Sequence, residues 1–296
     1  MIIVTIRICF ERIYWSSFFV DILGVGALTQ GKIEISENDF SSHNFSYHSK
    51  FSEHQFCAKL LLKFRRILVQ TTKSVKNIKV AQLSDCAFIW SDDPDTVVNV
   101  ARDIMWTSVL GGILCRGGLA NGQIVEPDKI NTKLGMFICG GAVTDAVRLE
   151  GAGKGARVFI KQELVSELKK IPEAAFAPRK SLIDFSIIDE FKWYRYPDFI
   201  ESSYEDLDKK LVMNEIVKII AMLNHSPKYS WNASNHLGRV QLASAIDIIS
   251  AETESLWGIR DFKVEYEEVL DNLNNRSEDT YKRRLRNYHK KINLLP

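Results

Sequence analysis

The stretch Trp15–Gly26, WSSFFVDILGVG, decides how the rest of the chain is read. Phe18, Phe19 and Val20 form a short apolar run of strand character, Asp21 closes it, and after Ile22 and Leu23 the pattern is broken by Gly24 and Gly26. The same logic returns in Ile78–Trp90, IKVAQLSDCAFIW, where Asp85 interrupts an otherwise apolar, β-prone segment. Two strand-borne aspartates brought side by side could hold divalent magnesium or manganese.

Working outward, Gly31–Ser52 is polar and reads as a loop or mobile insertion. Phe51–Lys73 has helical periodicity, with Phe56, Leu60, Phe64 and Ile67 on one face. Lys76–Trp90 is a hairpin arm with Asp85 near its turn, and Ser91–Asp95 with Pro94 signals the start of a helix over Thr96–Leu110, ended by Gly111 and Gly112. Ile113–Ile124 is a strand whose glycines allow close backbone approach. Gly135–Glu150 runs from an apolar strand through a Gly-Gly turn into a helix carrying Thr144 and Arg148, four apart and so on one face. A strand at Ala156–Ile160 and a helix at Leu164–Lys170 follow.

This order predicts an α+β fold, an antiparallel-containing sheet with helices on one face. From Pro172 the character changes to a hairpin over Ile183–Tyr194 and long, polar-faced helical patterns over Tyr204–Leu223, Arg239–Trp257 and Asp261–His289. The chain therefore divides into a catalytic-sized part, residues 1–171, and an extension, 172–296.

Composition sets the class. Over 296 residues the hydrophobic share is 46%, the charged share 26% and the net charge +2, values ordinary for a globular protein and no argument for nucleic acid or membrane. The basic run Lys282–Lys291 reads as the solvated end of a helix. Arg7, Glu11 and Arg12 interrupt the apolar opening before a signal-peptide core or membrane span forms, so a cytoplasmic protein is expected. Cys9, Cys57, Cys86, Cys115 and Cys139 are odd in number and widely spaced, as buried free thiols are. His43, His48 and His54 fall in the polar segment without the paired spacing of a metal site.

Four motifs in order carry a family resemblance over about residues 15–160. FVDILGVG resembles the metal-binding opening F-x-D-I-x-G of class III nucleotidyl cyclases, and LSDCAFI resembles their second aspartate hairpin. RGGLANGQI resembles their R-x-G-(I/L)-x-x-G strand, and GGAVTDAVRLE their G-D-x-V-N-x-A-x-R-L-E helix. With Ser84-Asp85 in place of Gly-Asp, the divergent form looks most like the bacterial Pycsar anti-phage pyrimidine cyclases, which also carry a C-terminal extension.

The resemblance implies a ferredoxin-like core and roles for particular residues. Asp21 and Asp85, with the Ile22 carbonyl, would hold two Mg2+ or Mn2+ ions. Backbone amides of Leu23, Gly24, Val25 and Gly26 would cradle phosphate oxygens. Arg148 falls at the arginine that stabilises the transferred phosphoryl group, and Thr144 at an asparagine that orients the ribose; the shorter threonine is a departure. The family's sites lie across a homodimer interface, so Thr144 and Arg148 would serve the partner subunit's aspartates. Adenylate cyclases of the family place a lysine and an aspartate where this chain has Ala81 and Phe137, which cannot make the polar contacts to an adenine edge. That suits UTP or CTP. A lysine contacting phosphate has Lys192 or Arg179 as candidates. The implied protein is a homodimeric pyrimidine cyclase whose product is read by a separate effector, with no membrane or nucleic-acid partner. A purine cyclase with an unusual pocket, or a silent cyclase-like regulator, is the alternative.

Overall fold

The computed structural model describes residues 13–46, 52–126, 137–196, 208–257 and 276–294. Strand β1, Ile13–Ile22, runs down the centre of the first layer. Its alternation is physical: Phe18, Val20 and Ile22 enter one apolar core while Phe19 enters another on the opposite face. Beyond it lie two short helices, α1 (Val25–Thr29) and α2 (Glu37–Ser42), and then α3 (Glu53–Thr72). Helix α2 sits in the segment expected to be loop. Its start is stabilised locally, because Asp39 Oδ2 accepts from both the backbone N–H and the hydroxyl of Ser36.

Helix α3 buries the expected face, with Phe56, Leu60, Phe64 and Ile67 all under 5% exposed. Strands β2 (Lys79–Leu83) and β3 (Cys86–Ser91) form the hairpin, followed by α4 (Pro94–Leu110) and β4 (Cys115–Ile124). The order β2-β3-β1-β4, antiparallel throughout, with α3 and α4 in the crossings, is the β-α-β-β-α-β ferredoxin-like arrangement. Both helices pack on the Phe18 face.

The second face is covered by α5 (Gly141–Glu150), which corrects the expectation of helices on one side only. The cause is topological. Strand β5 (Val158–Ile160) lies parallel to β4, and a parallel neighbour needs a crossover, which α5 supplies. Of the strand expected before α5, the described part is a bridge between Cys139 and Val125. Helix α6 (Gln162–Glu167) follows β5, and the hairpin of β6 (Phe176–Lys180) and β7 (Ile187–Phe191), starting earlier than expected, completes a seven-stranded sheet.

The C-terminal helices are α7 (Lys209–His225), α8 (Ser230–Ser234), α9 (His236–Trp257) and α10 (Glu278–Asn293). Helix α7 is not polar-faced: Val212, Ile216, Ile219, Ile220 and Leu223 join the core beneath α4. The part of the last expected helix before residue 276 lies outside the described residues, as do Cys9 and His48. His43 is buried rather than on the surface, its Nε2 2.9 Å from the Lys228 carbonyl. Cys57 and Cys115 are buried thiols as expected, Cys86 is half-buried and Cys139 is exposed. Among the described residues, no helix is long and apolar enough to cross a membrane.

Candidate active site

Asp21 is the penultimate residue of β1, opposite Cys86 of β3 on one side and Arg116 of β4 on the other. Asp85 precedes Cys86 in the two-residue turn that joins β2 to β3, and its carbonyl accepts from the Ile22 N–H at 3.1 Å. The ends of β1 and of the hairpin are thus tied together, which puts Asp21 and Asp85 at the same end of the sheet. Ser84, the other turn residue, has φ 58, in the left-handed region that favours glycine.

The electrostatics follow from that juxtaposition. Burial, the Glu150 carboxylate and the Asp85 carboxylate together push the Asp21 carboxyl up to about 7, against a smaller lowering by Arg116. Cys86, half-buried between the same carboxylates, is pushed up to about 11 by burial first and then by Asp21 and Asp85. A site that resists its own negative charge this strongly favours a cation.

The donor set is Asp21, Asp85 and the Ile22 carbonyl, all hard oxygen, which is the chemistry of Mg2+ or Mn2+ rather than of zinc. Among the described residues no group of three or more His, Cys, Asp or Glu is arranged to hold a metal. Two carboxylates are nonetheless the usual protein share for Mg2+, with water and substrate phosphate supplying the rest.

After Ile22 the chain turns sharply. Gly24 has φ 99, and a Cβ there would lie 2.8 Å from Nδ2 of Asn232 and 3.0 Å from the Trp231 ring. Helix α1 begins at once, so the N–H groups of Gly24, Val25 and Gly26 come before its first hydrogen-bonded donor, the Leu28 N–H, which bonds the Gly24 carbonyl at 3.0 Å. Leu23 is corrected: its N–H donates to the Leu114 carbonyl at 2.8 Å, which removes it from any phosphate cradle.

Thr144 and Arg148 are exposed, and each has a partner outside the aspartate pair. Helix α5 buries Ala142, Ala146 and Leu149 against the sheet and turns Thr144 and Arg148 to solvent. Thr144 Oγ1 donates to the Gly140 carbonyl at 3.2 Å, and Arg148 Nη1 to Asp184 Oδ2 at 3.0 Å. Ala81 is half-buried on the α5 side of the sheet, opposite Phe88, and Phe137 is 57% exposed.

Neither candidate for the phosphate-binding cation is free. Arg179 Nε donates to Glu190 Oε2 at 2.7 Å, and Glu190, fully buried, also takes two hydrogen bonds from Arg157. Lys192 Nζ lies 3.2 Å from Glu252 Oε1.

Sequence reasoning assigned no role to Arg116 and offered Glu150 only as an ion-pair partner for Arg148; the structure instead pairs Glu150 with Arg116 beside Asp21, and Arg148 with Asp184. The signal was present, since a lone arginine in a glycine-rich apolar strand needs a partner once buried.

No family model and no curated protein matches the chain. Solved structures do. The guanylyl cyclase Cya2 is 10% identical, with 62% of this chain and 92% of that one covered and a TM-score of 0.45. The adenylyl cyclase CyaB from P. aeruginosa is 14% identical over 62% and 94%, with a TM-score of 0.42. The guanylate cyclase domain of RhGC from Catenaria anguillulae, in complex with GTP, is 17% identical over 60% and 94%, with a TM-score of 0.41. At these scores the likeness decides nothing about chemistry.

Proposed function

We propose that the chain is a nucleotide cyclase that converts UTP or CTP to the 3′,5′-cyclic monophosphate and pyrophosphate, in the cytoplasm, as an anti-phage signal read by a separate effector. The observation that carries this reading is the meeting of Asp21 and Asp85 at the Ile22–Asp85 backbone bond, directly before the left-handed turn at Gly24. Bound divalent ions, Mg2+ or Mn2+, would supply activation of the ribose 3′-hydroxyl and charge neutralisation on the triphosphate.

The chain's own residues do the rest. Asp21, Asp85 and the Ile22 carbonyl hold the cations, and the N–H groups of Gly24, Val25 and Gly26 receive phosphate oxygens. Thr144 and Arg148 face solvent, as residues serving a second copy's site would, and Arg148 stabilises charge on the transferred phosphoryl group there. Exposed Leu182, Ile183, Phe185 and Ile187 lie on the hairpin that also carries Asp184, Arg148's partner, and supply an apolar margin suited to a homodimer. Ala81 and the exposed ring of Phe137 offer no polar group to an adenine edge, which favours a pyrimidine.

Purified protein incubated with manganese and each of the four ribonucleoside triphosphates tests this, with products identified by mass. A cyclic pyrimidine product is expected. A cyclic purine would overturn the base assignment, and intact nucleotide with retained binding would indicate a silent, dimerising regulator.

A further inference from the structure

Arg116 stands directly opposite Asp21 in the antiparallel β1–β4 register, so both side chains rise from the same face of the sheet. Opposed side chains of this kind have Cβ atoms about 5 Å apart, and an arginine facing an aspartate at that spacing ordinarily pairs with it. Here it does not. The Arg116 Nε donates instead to Oε1 of Glu150, and both side chains are largely buried, 21% and 10% exposed.

Glu150 is the last residue of α5, and it reaches Arg116 because that helix lies against β4 with nothing between them. A Cβ on Gly118 would collide with the Ala146 carbonyl and lie 2.8 Å from the Glu150 N–H, so the absence of a side chain at Gly118 sets the height of the helix end above the strand.

We propose that Glu150 is a positioning residue that holds the Arg116 guanidinium off Asp21, keeping the Asp21 carboxylate available to a divalent cation. The inference rests on the metal reading of Asp21 given above. Its physical content is competition: an arginine released by loss of Glu150 swings onto the nearest carboxylate, and a two-pronged guanidinium pair occupies the oxygens that a cation would take. Glu150 ligates no metal in this scheme.

Mn2+ binding by the full-length chain, followed through the spectrum of free Mn2+ without nucleotide, tests it on the wild type, E150D, E150Q, R116Q/E150Q and D21N. The aspartate variant separates this idea from simple attraction by a negative charge, because it keeps the charge and loses the reach. E150D and E150Q are each expected to weaken Mn2+ binding at least tenfold, and R116Q/E150Q to return within about threefold of wild type. Wild-type affinity in E150D, or a double variant as weak as E150Q, overturns the proposal while leaving the metal site intact. A wild type that binds no Mn2+, or binds it equally well as D21N, overturns the metal reading and this inference with it. If E150Q fails to fold, E150D and the double variant carry the comparison.

Discussion

Asn232 and Leu23 are joined across the chain: the Asn232 Nδ2 donates to the Leu23 carbonyl at 3.3 Å although 209 positions separate them. The C-terminal helices therefore reach the turn that follows the first aspartate. Replacing Asn232 with alanine leaves that buried carbonyl unpaired and is expected to cost about 1–2 kcal/mol, read by urea denaturation. Gly24→Ala is expected to cost more, since it adds left-handed strain of about 1–2 kcal/mol to the collision with Asn232. The double variant relieves the collision alone, so the two costs sum to less than additivity; strict additivity would show that the turn and α8 do not press on one another.

Ser84 invites the opposite experiment. Its φ of 58 is the conformation in which a Cβ is penalised, and Ser84→Gly is expected to raise stability by about 1 kcal/mol. A destabilised variant in a thermal melt would mean that the serine side chain contributes more to the turn than the backbone strain removes.

Half-buried Asp21 and buried His43 pull the pH dependence in opposite directions. The Asp21 carboxyl is raised to about 7, so the folded chain binds more protons than the unfolded one between about pH 4 and 7, and stability from this group falls as pH rises through that window. His43 is lowered to about 3 by burial and by Lys63, so its contribution rises with pH between about 3 and 6.5. In metal-free buffer Asp21→Asn is expected to melt above wild type at pH 7.5 and to show little gain at pH 4, and assayed separately with manganese and nucleotide it is expected to lose turnover. A variant that melts below wild type at pH 7.5 would show that the charge on Asp21 is already compensated.

Glu190 holds two arginines at full burial, and removing it strands both. Glu190→Ala is expected to cost about 3–5 kcal/mol, whereas Arg179→Ala, which trims the more exposed partner, is expected to cost about 1 kcal/mol or less. Equal costs in chemical denaturation would place the weight of the network on Arg179 instead.

Much of this architecture was legible before any coordinates. The apolar run around Phe18, the 3.6-residue period of Phe56, Leu60, Phe64 and Ile67, and the hairpin around Asp85 are local patterns, and local patterns survive folding. Nonlocal relations did not show. That α5 crosses to the far face depends on the pairing of β4 with β5, which no window of residues contains. The ion pair of Arg116 with Glu150, the occupation of Arg179 by Glu190 and the capture of the Leu23 N–H by Leu114 are each settled by partners remote in sequence. Helix α7 was misread for the same reason: its apolar residues are buried from more than one side, which blurs the stripe that marks a surface helix.

Trp231 is fully buried, its ring edge-on to Phe56 at 5.9 Å, in the same short helix that presses on Gly24. A gene shortened to end at Ile171 would therefore remove material packed against the turn that follows Asp21. The truncated product is expected to be recovered, if at all, as an aggregate, and a failed assay of it would not test the roles proposed for Asp21 and Asp85.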